Sequence, residues 1–132
     1  MSGIRELDKL LANIEPTLDE TRYVFVTRDL PLAAAEVASA FAVVREDEAT
    51  TLIIDAAVAS TPLPDECFAR VTLSVHSALA AVGLTAAVAD VLAARAIPAN
   101  VVAGYYHDHI FVPYKQRFDA LDALQSLAVT KM

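Results

Sequence analysis

The sequence predicts an α+β fold in which helices cover one face of mostly antiparallel sheets, and three observations carry that expectation. From residue 66 to residue 132, hydrophobic patterns of period two and period 3.6 alternate in the order β-α-β-β-α. Residues 1–65 show a leading helix and then β-α-β-β. Two hairpins, 41–44 with 52–55 and 100–103 with 110–113, can also be laid side by side. One unit is therefore expected twice, the first copy having lost most of its second helix.

The elements follow in order. Ile4, Leu7, Leu10, Leu11 and Ile14 recur at helical spacing, and Pro16 closes that pattern. A β-rich run covers 23–27, after which Asp29 and Pro31 suit the cap and first turn of a short Ala-rich helix ending near Ala40. Segments 41–44 and 50–54 are strand-like, and the charged stretch Arg45-Glu46-Asp47-Glu48 between them is hairpin chemistry. Ser60-Thr61-Pro62-Leu63-Pro64-Asp65 is the clearest linker, dividing an N-terminal unit, 1–65, from a second unit, 66–132. In the second unit, 68–75 alternates with Val71, Leu73 and Val75 on one face. Leu84, Val88, Val91 and Leu92 then form a helical stripe. Strands are expected at 99–103 and 109–112, the latter ended by Pro113. A last helix over 115–127 presents Phe118, Leu121, Leu124 and Leu127. Both 101–102 and 110–112 are apolar on both faces, so the face away from the helices must be covered by the duplicate copy or by a second chain.

Composition excludes several functions. Hydrophobic residues make up 56% and charged residues 20%, enough apolar material for a core and too much for disorder. Charges interrupt every apolar run before it is long enough to span a bilayer, and the N-terminus lacks the order of a secretory signal, so a cytoplasmic protein is expected. The net charge of −7 and the absence of a Lys/Arg cluster argue against nucleic acid and anionic membranes as partners. Cys67 is the sole cysteine, which rules out an internal disulfide and reads as a buried bystander.

The run Val82-Gly83-Leu84-Thr85-Ala86-Ala87-Val88, followed by Leu92, Ile97 and Asn100-Val101, resembles the ACT-domain signature. In that signature a Gly-led turn opens the first helix and an Asn-containing strand follows. Val75-His76-Ser77 and Tyr106-His107-Asp108-His109-Ile110-Phe111-Val112-Pro113 extend the resemblance to small stand-alone bacterial proteins with tandem ACT-like units. Ala49 departs from the glycine expected in the first hairpin, and no closing strand follows Leu127, so the sheet is expected to borrow one from the other half. The resemblance implies a ferredoxin-like fold and a binding module for an amino acid or another small ligand. The uncovered apolar sheet face makes a homodimer the expectation, and ligand binding is expected to change association with a protein effector.

Physically, Gly83 can take φ > 0 at the entry to a helix, and the N–H groups of Leu84, Thr85 and Ala86 would face an anionic guest such as a carboxylate. Val82, Gly83, Leu84, Thr85 and Asn100 are the expected ligand-binding residues, with His76 and His109 as further hydrogen-bonding candidates. The bland alternative is a tight turn and nothing more. His76, His107 and His109 suggest a rival reading as a metal-binding protein or small metalloenzyme, although His-x-His more often is polar hairpin chemistry. A third is a structural partner subunit. No catalytic residue and no cofactor is expected: adjacent His76 and Ser77 would point to opposite faces of a strand, and Gly3, Gly83 and Gly104 cannot make a phosphate loop.

Overall fold

The computed structural model describes residues 2–59, 64–74 and 83–130, the side chains of 2–6, 129 and 130 excepted. Four helices, α1 (Ser2–Ala12), α2 (Ala34–Ser39), α3 (Leu84–Ala93) and α4 (Arg117–Thr130), accompany six strands. The strands are β1 (Pro16–Arg28), β2 (Ala42–Arg45), β3 (Thr50–Asp55), β4 (Phe68–Leu73), β5 (Asn100–Ala103) and β6 (Asp108–Pro113). They form one sheet in the order β2-β3-β1-β4-β6-β5, and every ladder is antiparallel.

That order reads the same from either end. Each half places its hairpin outermost and its first strand at the centre, so β1 and β4 pair across the middle and each stands where a fourth strand of the other half would be. The strand that the second half was expected to borrow from the first is β1.

Pairing parity sorts the side chains. Val71, Leu73, Ile110 and Val112 face α1, α3 and α4, joining Leu11, Ile14, Leu84, Val88, Leu92, Ala120, Ala123, Leu124 and Leu127 in the main core. Val24, Val26, Leu52 and Ile54 continue this face into the first half, where Ala40, Ala56, Ala59 and Cys67 pack on them. The leading helix thus covers the second half of the chain rather than its own, with α4 as its main contact. Phe118 does not belong to the buried edge of α4: it is 59% exposed, and Ala120 and Ala123 take the core positions. Small residues there let α4 approach the sheet closely.

The opposite face carries Tyr23, Ile53 and Phe111 with Phe25, Phe41, Phe68 and Val102. No described helix covers it. Adjacent strands lie ~4.8 Å apart, so β2 and β6, four steps apart, would be separated by about 19 Å in a flat sheet. Yet the ring of Phe41, hydrogen-bonded to β3 just ahead of β2, lies 4.9 Å from the His109 ring on β6 and 5.4 Å from Phe111. The sheet therefore curls toward its helix-free side, and the first half folds its aromatics over the second. The slip in β1 pairing between Asp19 and Tyr23 is where it bends. Phe111 is fully buried by this curl, so the duplicate half does cover it.

Three boundaries differ from expectation. β1 starts at Pro16, because its polar first half pairs with β4. Asp29 precedes, and Pro31 completes, a cis Leu30–Pro31 bond, and neither caps α2, whose N-cap is Ala33 without a side-chain hydrogen bond. The first hairpin closes through Glu46 N–H to Ala49 O at 3.1 Å; Ala49 is not among the residues with positive φ, so a glycine is not needed there.

Candidate functional site

The helix-opening turn is present. Gly83 has φ +99° and is the N-cap of α3, and Ala87 N–H bonds its carbonyl at 3.0 Å. The N–H groups of Leu84, Thr85 and Ala86 thus stand ahead of the first intrahelical bond, and among the described residues no side-chain cap is formed there. Leu84 is buried at 3% exposure, whereas Thr85 is exposed. A Cβ on Gly83 would sit 2.9 Å from Leu7 Cδ2, so α1 of the first half lies directly against the turn of the second. Leu7 also lines an apolar groove of about 460 Å³ with Leu11, Ala87, Val91 and Leu127, and Asp90 is at the same groove.

Of the remaining candidates, the described ones, Asn100 and His109, do not gather at this turn. Val82 and His76 lie outside the described residues. Asn100 is paired with Phe111 on an edge strand, and its Nδ2 donates to Phe111 O at 3.3 Å. His109 points, like Phe111, into the curled face, on the other side of the sheet from Leu84. Among the described residues no group of three or more His, Cys, Asp or Glu side chains could hold a metal ion; His76 lies outside them. The Nδ1 atom of His107 is buried without a hydrogen-bond partner among those residues.

His109 belongs to a polar cluster that spacing along the chain does not reveal. Arg70 on β4 donates from Nη2 to Asp19 Oδ2 at 2.5 Å and from Nη1 to Thr72 Oγ1 at 2.6 Å. Its Cζ lies 4.8 Å from the Phe41 ring centroid. The Thr72 hydroxyl, accepting from Arg70, donates to His109 Nδ1 at 2.9 Å, which places the proton of a neutral imidazole on Nε2. Gly104 makes room for that edge of the ring: a Cβ there would sit 3.2 Å from Nε2 and 2.8 Å from His107 O. Burial, then the electrostatic influence of Arg70 and of the neighbouring His107, hold the His109 pKa below its usual value against the opposing pull of Asp108. Burial works to raise the Asp19 carboxyl, but hydrogen bonds from Thr21 and the Arg70 guanidinium outweigh it, and its pKa is lowered. The Phe68-Ala69-Arg70-Val71-Thr72 alternation was the available signal, since it sets a charge on the same strand face as an aromatic residue.

Stability should therefore fall on mild acidification. With the folded pKa of His109 below the unfolded value of about 6.5, the unfolded chain binds more protons in that interval. The His109 contribution is complete above ~6.5 and lost as pH drops toward the folded pKa; that of Asp19 goes only below about 4. Urea titrations from pH 7.5 to 5 should show the first loss in the wild type and a flatter profile in His109→Gln. An unchanged slope in the variant would mean that another group carries it.

The ACT-domain family matches the chain twice, over residues 2–63 and 68–126. The crystal structure of a Vibrio cholerae protein of unknown function, described as a possible transport protein, is 44% identical with a TM-score of 0.84. It covers 96% of this chain and 98% of that one. A protein from Agrobacterium tumefaciens superposes with a TM-score of 0.73 at 16% identity, covering 88% of this chain and 90% of its own. The ligand-free regulatory subunit of aspartate kinase from Thermus thermophilus gives 0.64 at 9% identity, covering 85% and 95%, a likeness of fold alone. Curated protein sequences yield no match. No described helix is long and apolar enough to cross a membrane. With both halves matched and one relative similar over nearly its full length, the chain belongs to the ACT-domain family, as two ACT domains in tandem.

Proposed function

We propose that the protein is a non-catalytic regulatory module that binds a small carboxylate-bearing metabolite, an amino acid in the first instance, at the opening of α3. Binding changes how the chain associates with a second copy or with an effector protein. The two units, 1–65 and 66–132, act as one body. The observation that carries this reading is Gly83 in the left-handed region ahead of a first helical turn that no described side chain caps, against α1. Free N–H groups at a helix start and the positive end of its dipole favour an anion. The fold supports the reading too, since one structural relative is itself a regulatory subunit. Val82, Gly83, Leu84 and Thr85 form the proposed contact; Asn100 and His109 face the other side of the sheet and are not needed for it.

A thermal-shift screen of the amino acids tests it. A ligand at a hundred times its Kd adds about 2.7 kcal/mol. Thr85→Glu is the decisive variant: the residue is exposed, and an acid in the first turn suits the helix dipole while repelling a carboxylate. It should keep the unligated Tm and abolish the shift. Gly83→Val is less clean, because a β-branched residue at φ +99° costs about 1–3 kcal/mol on its own. Absence of stabilisation by any amino acid at millimolar concentration would sink the proposal.

A further inference from the structure

At the other end of β4 from α3, a pocket of about 370 Å³ opens between Arg22, Asp65, Glu66, Cys67, Tyr114 and Lys115. Its size falls within the ~300–1,000 Å³ of small-molecule sites. It draws on both halves: Arg22 comes from β1, Asp65 and Glu66 lead into β4, and Tyr114 and Lys115 follow β6. Arg22 sits in the irregular stretch between Asp19 and Tyr23, where β1 leaves its register with β4. Such bulges re-aim side chains.

Tyr114 fixes this stretch. Its backbone N–H bonds Cys67 O at 2.9 Å, tying the end of β6 to the start of β4, and its hydroxyl donates to Glu20 O at 3.2 Å. The Arg22 and Arg117 guanidinium carbons lie 4.2 and 3.9 Å from its ring centroid. Arg22 is thus held over an aromatic ring instead of an acid.

The charges of the pocket are the telling feature. Arg28, Arg70, Arg95 and Arg117 each form an ion pair within 3.4 Å. Arg22, Lys115, Asp65 and Glu66 line one pocket and form no ion pair with one another or with any other described residue. Two cations and two anions that line one small cavity without an ion pair between them offer complementary charges to a guest carrying both.

We propose that this pocket is a second ligand site, for a zwitterion of the amino-acid or dipeptide class. Arg22 and Lys115 receive the carboxylate, and Asp65 and Glu66 receive the ammonium. The site does not depend on the turn at Gly83, and its ligand would bridge the two halves of the chain.

Calorimetry on the full chain tests it with free amino acids, the dipeptide of each hit, and the N-acetyl and methyl-ester forms of each hit. The free form should bind, and blocking either end should weaken it about tenfold or more, as expected for loss of a charge-assisted hydrogen bond. The variant Arg22→Gln/Lys115→Gln should lose the preference for a free carboxylate, and Asp65→Asn/Glu66→Gln the preference for a free ammonium. All four side chains are exposed, so the fold should hold, which circular dichroism checks. Binding that persists in Thr85→Glu but not in Arg22→Gln/Lys115→Gln supports this site. Binding indifferent to both pocket variants, yet lost in Thr85→Glu, overturns it and leaves the turn standing. Absence of binding by any zwitterion overturns both.

Discussion

Phe111→Ala should remove about 3–5 kcal/mol of folding free energy, the range for truncating a fully buried aromatic residue. Against a total of about 5–15 kcal/mol, that is enough to leave the chain partly unfolded near physiological temperature. The expectation rests on position as much as on size. Phe111 has no exposed surface, and it meets the rings of Tyr23, Phe25 and Phe41 edge-on, with centroids 5.3, 5.7 and 5.4 Å away. All three partners come from the other half of the chain. Urea denaturation should show one transition, shifted to lower midpoint. Phe118→Ala, on the exposed side of α4 with Arg117 over its ring at 4.4 Å, should cost less than about 1 kcal/mol. A Phe111→Ala loss no greater than that would show that the curl is not what buries the aromatic face.

Arg28→Met comes next, at about 3 kcal/mol. Glu36 on α2 is 3% exposed, and its two carboxylate oxygens receive Arg28 Nε and Nη2 at 2.9 and 3.0 Å. Hydrogen bonding to Glu36, above all, raises the Arg28 pKa, as a well-made pair should. Removing the guanidinium takes the countercharge from a carboxylate that is 3% exposed, whereas removing both charges leaves no charge to compensate. Arg28→Met/Glu36→Leu should therefore recover most of the loss, and a double variant no better than the single would contradict this account. Glu36 is the buried residue of the six-residue α2, and Val37 beside it is 39% exposed.

The sequence made some of this plain and hid the rest for physical reasons. Strands β3, β4 and β6 alternate or run apolar because one or both faces are buried, and the stripe Leu84, Val88, Leu92 is the buried face of α3. The turn at Gly83 was legible because a left-handed residue before a helix leaves a glycine behind. The first half of β1 was not, since Thr17, Asp19, Thr21 and Arg22 are polar for reasons lying elsewhere in the chain. Asp19 answers Arg70, 51 residues away, and Arg22 answers Tyr114. Phe118 was misplaced because helical spacing fits two neighbouring stripes on α4, and only contact with the sheet selects the one through Ala120 and Ala123. The curl that joins Phe41 to His109 is a property of sheet twist and bulge, and no local pattern encodes it.

The pairing of β1 with β4 has a consequence for how such a chain changes over evolutionary time. A duplicated unit ordinarily leaves one copy free to drift. Here each copy supplies the strand that closes the other, and the aromatic residues of one half are solvent-shielded by the other. Neither copy is spare. The helix α1 of the first half likewise packs on the helices of the second and not on its own. The two repeats have become a single heritable unit, free to diverge in sequence from one another but not to part company.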